Sequence, residues 1–237
     1  MTAAHDLQAQ AGLAIELAGE LVRLLPQGAL WWADRSVLVV SDLHFEKGSF
    51  YAAGGQMLPP YDTSATLSQV ESLVAAYQPE TCLSLGDSFH DVRAELRLDA
   101  SAQARIKTLT SLTDWIWVEG NHDPAPPALL GGRAEKTVRL GCLVFRHEPT
   151  GEVGEVAGHL HPVSKVVSRG RSVRTKCFAA DNTRLIMPAL GALTGGLNVL
   201  DDAFSKLFPC GLRAHALGAD GVYTLAGKRL VGDRRNR

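Results

Sequence analysis

Residues 37–44 read VLVVSDLH, in which four consecutive aliphatic residues run directly into Asp42 and His44. Uniformly apolar residues over this length are typical of a central strand that is buried on both faces. Asp42 and His44 are two residues apart, so their side chains leave an extended chain on the same side. The segment therefore predicts two polar ligands at the end of a central strand, where α/β sheets bind their ligands.

The segments on either side alternate between strand and helix patterns. Residues 13–25 are interpreted as a hairpin around Gly19, although their leucines also fit a helical stripe, and residues 29–32 pair with 37–40 in a second hairpin. Helices are predicted from Tyr61 to the residue before Pro79, with Asp62 or Thr63 as cap, and at residues 94–112. Strands are predicted at residues 82–85, 115–118, 138–140, 143–145, 173–178, 185–187, 212–217 and 222–225. We expect the second half to be largely antiparallel.

Four further polar motifs follow predicted strands in the same way. They are GDSFHD at residues 86–91, GNHD at 120–123, His147, and GHLH at 158–161. Each motif alone is weak evidence for a functional site, because such a motif is more often part of a polar loop. Together with Asp42 and His44 they place carboxylate oxygens and imidazole nitrogens, the ligands of hard or borderline divalent metals, at successive strand ends. Such a set suits two metals, which clamp the oxygens of a phosphoryl group and generate hydroxide near neutral pH.

These five motifs resemble the calcineurin-like metallophosphoesterase superfamily, whose pattern is D-x-H, G-D, G-N-H-[DE], H and G-H-x-H. The resemblance implies an α/β fold, a four-layer αββα sandwich of two mixed β-sheets flanked by helices. It also implies that hydroxide attacks phosphorus in line. One metal would be held by Asp42, His44 and His161, the other by Asn121, His147 and His159, and Asp87 would bridge them. His122 would act on the leaving oxygen, and Asp123 and His90 complete the candidate catalytic residues.

His90 stands where many phosphatases of the superfamily have an Asp, three residues after the bridging Asp87. The DNA-repair nuclease branch resembles this sequence at that position, which favours phosphodiesters over monoesters as substrates. The alternative is that His90 only donates a hydrogen bond to a metal ligand.

A narrower resemblance extends over almost the whole chain. It is carried by LVVSDLHFEKGS at 38–49, MLPPYDT at 57–63, LGDSFHD at 85–91, GHLHP at 158–162 and MPALGALTGGLN at 187–198. These segments are similar to the PdeM family of bacterial phosphoesterases, assigned as endonucleases in a DNA damage response. The resemblance implies DNA as substrate, as single strands or frayed ends, and Mn²⁺ as the metal, with Fe, Zn or Mg as alternatives. It implies as partners an ATP-dependent DNA ligase, a helicase and an MBL-type exonuclease.

Composition sets limits on the class of protein. The 237 residues carry 24 Lys+Arg against 25 Asp+Glu and are 46% hydrophobic, which excludes a disordered chain and suits one domain over residues 1–237. No apolar stretch reaches the roughly 18 residues of a membrane span, and the N-terminus lacks a signal-peptide pattern, so we expect a cytoplasmic protein. The four cysteines are interpreted as reduced, buried thiols. Residues 228–237 are polar and basic and are expected to fray.

Positive charge is concentrated in residues 133–184, which hold ten Lys/Arg against five Asp/Glu. Four of these cations follow His161 and are candidates for contact with a nucleic-acid backbone, namely Arg169, Arg171, Arg174 and Lys176. They also fit solvated strand edges. Two other functions therefore remain open at this point: hydrolysis of a small substrate such as a cyclic nucleotide, and a noncatalytic repair scaffold.

Overall fold

Two β-sheets pack face to face, and helices cover the outer face of each sheet. The computed structural model describes residues 12–56, 58, 61–125, 128–168 and 170–233. The fold that the sequence predicts, a four-layer αββα sandwich of two mixed sheets, is confirmed.

The first sheet contains, within the described residues, seven strands in chain order. They are β1 (Leu13–Leu17), β2 (Glu20–Leu24), β3 (Leu30–Trp32), β4 (Val37–Val40), β5 (Thr81–Leu85), β6 (Asp114–Val118) and β7 (Arg133–Glu135). Strands β1 to β4 pair antiparallel, which confirms both predicted hairpins, and β4 to β7 pair parallel. The carboxyl ends of β4, β5 and β6 therefore meet at one edge of the sheet.

The helices of the described chain are α1 (Lys47–Ala53), α2 (Asp62–Tyr77), α3 (Ala100–Leu112) and α4 (Asp202–Leu207). Helix α2 confirms the prediction that starts at Tyr61, but its predicted caps are wrong. The Asp62 carboxylate accepts a hydrogen bond from the Gly48 amide, and the Thr63 hydroxyl accepts one from the Glu46 amide. Both side chains thus hold the beginning of α1, a helix that the sequence patterns did not predict.

The predicted helix at residues 94–112 is divided in two. A short 3₁₀ turn covers Ala94–Leu96, and α3 begins after Asp99, whose carboxylate accepts a hydrogen bond from the Ala102 amide. An Asp at this position stabilises a new helix start because it satisfies an amide that has no partner within the helix.

The second sheet contains nine strands among the described residues. They are β8 (Val138–Leu140), β9 (Leu143–Arg146), β10 (Glu155–Ala157), β11 (Pro162–Ser168), β12 (Arg171–Ala180), β13 (Leu185–Ile186), β14 (Leu197–Asn198), β15 (Arg213–Leu217) and β16 (Val222–Leu225). Strand β10 is parallel to both β9 and β13, and β11 is parallel to β14, whereas the other pairs are antiparallel. The prediction of a largely antiparallel second half holds except around β10 and β14.

Three apolar clusters correspond to the contacts between layers. Side chains of α2 and α3 pack on one face of the first sheet, the opposite face of that sheet packs on the second sheet, and α4 packs on the outer face of the second sheet. Trp32, Trp115 and Trp117 are buried, as expected for large aromatics in strands. The prediction of buried thiols is correct for Cys82 and Cys177 and wrong for Cys142 and Cys210, which are exposed.

The last described residues lie against the second sheet. The Val231 amide donates a hydrogen bond to the Lys165 carbonyl, and the Asp233 carboxylate lies 3.5 Å from Lys165 Nζ and 3.4 Å from Arg174 Nη2. Leu230, Val231 and Asp233 of the predicted tail thus contact β11 and β12, and residues 234–237 lie outside the described part. In the described residues, no helix has the length and apolar character needed to cross a membrane.

His215 in β15 makes stability depend on pH. Its side chain is 3% exposed, its Nδ1 lies 2.8 Å from Thr224 Oγ1, and burial together with the charge of Arg213 lowers its pKa to about 4. Below about pH 6.5 the unfolded chain therefore binds a proton that the folded chain does not, so stability is lost as pH falls toward 4. We expect His215 to cost about 2 kcal/mol of unfolding free energy between pH 7 and pH 5.

Urea unfolding of wild type and of His215→Gln at both pH values measures this contribution. The glutamine variant should lose less stability on acidification than wild type by that amount. Equal losses in the two proteins would contradict the assignment, since all other titrating groups are shared.

Candidate metal centre and active site

The loops that follow β4 and β5 continue the parallel pairing of their strands beyond the strand ends. The Asp42 amide lies 3.3 Å from the Gly86 carbonyl, the His44 amide donates to the Asp87 carbonyl at 2.9 Å, and Phe45 forms an isolated bridge with Phe89. These main-chain hydrogen bonds hold the D-x-H and G-D motifs side by side.

Backbone strain is concentrated at the predicted metal ligands. Five of the seven have a positive φ between 45° and 71°, which bulky residues rarely adopt: Asp42, His44, Asp87, His159 and His161. Each such residue costs about 1–3 kcal/mol, and the surrounding contacts must over-determine the conformation. The strain turns these side chains out of the strand direction and toward a common point.

Two glycines permit the close approach of these loops. A Cβ at Gly120 would lie 2.2 Å from the Asp87 amide nitrogen, and a Cβ at Gly158 would lie 2.1 Å from Ser41 Oγ. Both positions therefore exclude a side chain, because the neighbouring groups are closer than van der Waals contact allows. The glycines of the G-N-H-D and G-H-L-H motifs serve packing between the loops.

The first candidate metal group consists of Asp42, His44 and His161. His161 Nε2 lies 3.1 Å from Asp42 Oδ1 and 3.4 Å from His44 Nε2. The other carboxylate oxygen of Asp42 accepts a hydrogen bond from Ser41 Oγ at 2.6 Å, which orients the carboxylate. Two imidazole nitrogens and a carboxylate oxygen thus converge, as a divalent cation requires.

The second candidate metal group consists of Asp87, His147 and His159, with Asn121 beside it. Asn121 Oδ1 lies 2.9 Å from both His147 Nε2 and His159 Nδ1, and those two nitrogens are 3.2 Å apart. His147 Nδ1 donates to the Leu85 carbonyl, so its Nε2 is the atom left for a ligand. When both imidazoles are neutral, Asn121 Oδ1, His147 Nε2 and His159 Nδ1 are three lone-pair acceptors within 3.2 Å of one another. A cation between them could accept a lone pair from each.

Asp87 lies between the two groups and is 3% exposed. Its Oδ2 is 3.9 Å from His44 Nε2 of the first group, and its Oδ1 is 3.4 Å from His147 Nε2 of the second. This is the position that a bridging carboxylate would occupy, and it agrees with the role that the resemblance implies for Asp87.

The electrostatics of the centre favour charged carboxylates. Burial opposes ionisation of Asp87, but its hydrogen bond with His147 and the neighbouring charges outweigh burial and lower its pKa to about 2. Burial also opposes protonation of His147, yet the hydrogen bond to Asp87 and the charges of Asp42 and Asp87 raise its pKa to about 9. Without metal, His147 therefore holds the proton that a cation would replace.

His122 and His90 stack beside the metal groups. His122 Nε2 lies 3.9 Å from Asp87 Oδ2, and its Nδ1 donates to the His90 carbonyl, so Nε2 is the atom that can exchange a proton. The two rings are 5.3 Å apart and nearly parallel. Burial, followed by the charges of Lys47 and His122, lowers the pKa of His90 to about 4, so His90 is neutral at pH 7.

Asp123, the third candidate catalytic residue, is buried and contacts main chain. Its Oδ2 accepts hydrogen bonds from the Ser88 and Phe89 amides at 2.9 and 3.1 Å. Burial raises the pKa of Asp123 to about 7. The carboxylate thereby orients the loop that carries Asp87 and His90.

The predicted cationic residues lie along the hairpin formed by β11 and β12. Lys176 Nζ donates a hydrogen bond to the Gly191 carbonyl, and the Gly191 amide donates one to the Asp42 carbonyl. Lys176 therefore lies beside the centre. Arg174 donates to the Gly196 carbonyl, Arg171 pairs with Ser168 near the hairpin tip, and Arg169 lies outside the described residues. The six residues from Arg171 to Lys176 span about 17 Å. The strand therefore approaches the centre at its Lys176 end and not at its Arg171 end.

Helix α1 brings residues to the site that motif spacing did not identify. Phe50 and Tyr51 occupy this helix, and both aromatic rings contact His90. Only a helical pattern in residues 47–53 could have predicted this helix from the sequence. Seven residues are too few for hydrophobic periodicity to distinguish a helix from a loop.

Comparison with known proteins agrees with this geometry. The chain is similar to the crystal structure of Pseudomonas putida nuclease MPE, with 29% identity and a TM-score of 0.70 over 90% of this chain and 100% of that one. Its likeness to Yfce, a phosphoesterase from E. coli, is weaker, with 15% identity and a TM-score of 0.41 over 80% of this chain and 98% of that one. No curated protein matches the chain. The likeness to MPE supports the narrower resemblance found in the sequence.

The family described as calcineurin-like phosphoesterase matches residues 35–185, a range that includes every motif from Asp42 to His161. That match covers more than half of the chain. The protein therefore belongs to the calcineurin-like phosphoesterase family.

Proposed function

We propose that the protein is a metal-dependent phosphodiesterase that cleaves DNA, as an endonuclease or in the processing of DNA ends. The observation that carries this proposal is the position of Asp87 between two groups of metal-ligand side chains, with His122 Nε2 3.9 Å from its carboxylate. The similarity to a protein described as a nuclease supports a nucleic-acid substrate.

Two divalent ions fit the donor atoms. Asp42, His44 and His161 would hold one ion, Asn121, His147 and His159 would hold the other, and Asp87 would contact both. Mn²⁺ is our first candidate, and Fe, Zn and Mg are compatible with the same nitrogen and oxygen ligands. When bound, the ions would neutralise the charge of the phosphate and lower the pKa of water.

The chain itself supplies proton transfer and orientation. His122 Nε2 is free to protonate the leaving oxygen because Nδ1 is engaged with the His90 carbonyl. His90 supports the ring of His122 by stacking, and Asp123 holds the loop of Asp87 through the Ser88 and Phe89 amides. We therefore assign His122 a catalytic role and Asp123 a positioning role.

The positions of Lys176 and Arg171 along β12 favour a polynucleotide over a small substrate. Lys176 lies beside the centre and Arg171 lies near the hairpin tip, a separation that one phosphate group does not span but several nucleotides do. The resemblance to the PdeM family supports a role in DNA repair with an ATP-dependent ligase, a helicase and an MBL-type exonuclease, and the sequence leads us to expect a cytoplasmic location. They form part of the proposal.

Metal binding should release a proton from His147. Because the pKa of this residue is about 9 without metal and a ligand His must be neutral, affinity for Mn²⁺ should rise about tenfold per pH unit from pH 7 to pH 8. Isothermal titration in two buffers of different ionisation enthalpy measures the protons released. In Asp87→Asn, which loses both a proposed ligand and the carboxylate that stabilises the protonated form of His147, affinity and its pH dependence should both decrease. Affinity independent of pH in wild type would contradict this account of the centre.

Loss of His122 should affect DNA more than an activated ester. A deoxyribose alkoxide leaves only with a proton, whereas p-nitrophenolate leaves without one, so His122→Ala should lower kcat on single-stranded DNA by about 10²- to 10⁴-fold and on bis-p-nitrophenyl phosphate by much less. Turnover with Mn²⁺ of both substrates, and of p-nitrophenyl phosphate, tests this, with His215→Gln as the matched control. Mn²⁺ affinity of His122→Ala should stay within about twofold of wild type, since His122 is not assigned as a ligand.

Two outcomes would change the proposed function. If wild type hydrolyses only the monoester or a cyclic nucleotide, the DNA substrate is wrong and a small-molecule phosphoesterase is correct. If no ester is hydrolysed although Mn²⁺ binds, the noncatalytic alternative is favoured.

The salt dependence of binding separates a polynucleotide from a small substrate. The affinity of His122→Ala for single-stranded DNA should fall with salt, with a slope in log–log form of about −0.7 for each phosphate contacted. Arg171→Gln should make this slope less steep by about that amount, whereas Lys107→Gln, on the exposed side of α3, should not change it. Fluorescence anisotropy across a salt series measures these slopes. If His122→Ala shows the same slope with and without Arg171→Gln, Arg171 does not contact the DNA.

A further inference from the structure

Four aromatic rings form a continuous group beside the metal centre. Tyr51 stacks on His90 at 5.8 Å, His90 stacks on His122 at 5.3 Å, and Phe50 meets His90 edge to face at 4.8 Å. The group leads from His122, next to Asp87, to Phe50 at the surface. Phe50 is 45% exposed, although its ring belongs to this cluster.

Helix α1 holds Phe50 in a defined position. The Glu46 and Gly48 amides at the start of the helix donate to Thr63 and Asp62, and Ser49 accepts a hydrogen bond from Arg97 Nε at 2.9 Å. These contacts join α1 to α2 on one side and to the segment after His90 on the other. Phe50 therefore presents its ring from a fixed element, as a binding surface requires.

The two sides of the centre differ in chemistry. On the side of Asn121 and His147, a cavity of about 300 Å³ is lined by charged residues that include Lys136, Arg146 and Glu148. On the side of His90, the rings of Phe50 and Tyr51 contact the imidazole, and the 45% exposed ring of Phe50 is the part of this cluster that reaches the surface. The cavity holds two cations, Lys136 and Arg146, and two anions, Glu119 and Glu148, whereas the ring of Phe50 suits a planar, weakly polar group.

His122 determines which part of the substrate faces the aromatic side. A residue that protonates the leaving oxygen must lie next to the nucleotide that carries that oxygen. That nucleotide therefore leaves along the His122–His90 side and passes Phe50. This step rests on the proposed function, because it requires a nucleic-acid phosphodiester.

We propose that Phe50 stacks on the base of the nucleotide that carries the leaving oxygen. Stacking of a base on an aromatic side chain typically changes affinity by about 5- to 100-fold and tolerates any base, since every base has a π face. A base within a duplex has both faces covered by its neighbours and must first be unstacked. Phe50 thus selects unpaired nucleotides, as single strands or frayed ends, without reading their sequence.

The test removes the base and the ring separately. The complete substrate is a single-stranded oligonucleotide with one cleavable phosphodiester among methylphosphonate linkages. Two further oligonucleotides are abasic at the nucleotide on one side or on the other side of that bond. The end groups of the products identify the side that carries the leaving oxygen. Wild type should lose about 5- to 100-fold in kcat/KM when the base on that side is absent, and less than twofold when the opposite base is absent.

Phe50→Ala should lose a similar factor on the complete substrate and show little further loss on the abasic one. Phe50→Trp should restore the preference for the base, and Phe50→Leu should restore it only in part, because leucine is apolar but has no π face. Leu112→Ala, a truncation of an exposed side chain at the opposite end of the first sheet, is the matched control and should behave as wild type. Mn²⁺ affinity of each variant verifies that the centre is intact.

Several outcomes overturn the proposal, and they are distinguishable. If Phe50→Ala loses the same factor on complete and abasic substrates, Phe50 only positions His90. If the opposite base is the one that matters, the leaving nucleotide lies elsewhere. If wild type cleaves none of these oligonucleotides but hydrolyses bis-p-nitrophenyl phosphate, the DNA substrate itself is wrong and this inference falls with it.

Discussion

Two buried carboxylates, Asp42 and Asp87, determine how the rest of the centre is arranged. Moving an ionised carboxylate out of water costs several kcal/mol unless charged or hydrogen-bonding groups surround it. Asp42 is enclosed by Ser41, the His159 amide and His161, and Asp87 by the His122 amide and His147. These partners come from the ends of strands in both sheets. The buried carboxylates have all these partners only when the two sheets are packed together. The arrangement of the site therefore depends on the packing of the sandwich.

The same constraint accounts for the strain at the site. Left-handed backbone at five predicted ligand positions is unfavourable locally, and glycines at 120 and 158 are needed for the loops to approach. Main-chain pairing between the loops after β4 and β5, and the Asp123 carboxylate on the Ser88 and Phe89 amides, offset part of that cost. A divalent cation would stabilise the arrangement further, because it would lie among oxygen and nitrogen atoms that otherwise crowd one another.

The centre is asymmetric, and the asymmetry indicates how a polymer would lie across it. Charged side chains line the cavity beside Asn121 and His147, cations extend along β12 from Lys176, and the rings of Phe50 and Tyr51 contact His90. Phosphates and bases would thus find different surfaces on the two sides of His122. If His122 transfers a proton and Phe50 stacks on a base as proposed, the contacts of His90 with both rings would join the two roles in one group of rings.

The sequence by itself determined the strand–motif units, because an apolar run followed by Asp, Asn or His depends only on neighbouring residues. It placed the predicted ligands at strand ends, both N-terminal hairpins and the helix after Tyr61, and it indicated the family. The tertiary structure decided what depends on contacts between distant residues. Asp62 and Thr63 hold α1 rather than capping α2, the hairpin of β11 and β12 meets the centre at Lys176, and Phe50 and Tyr51 reach His90. Hydrogen bonds and ring contacts between segments far apart in the chain leave no local periodicity, so only the packed fold could reveal them.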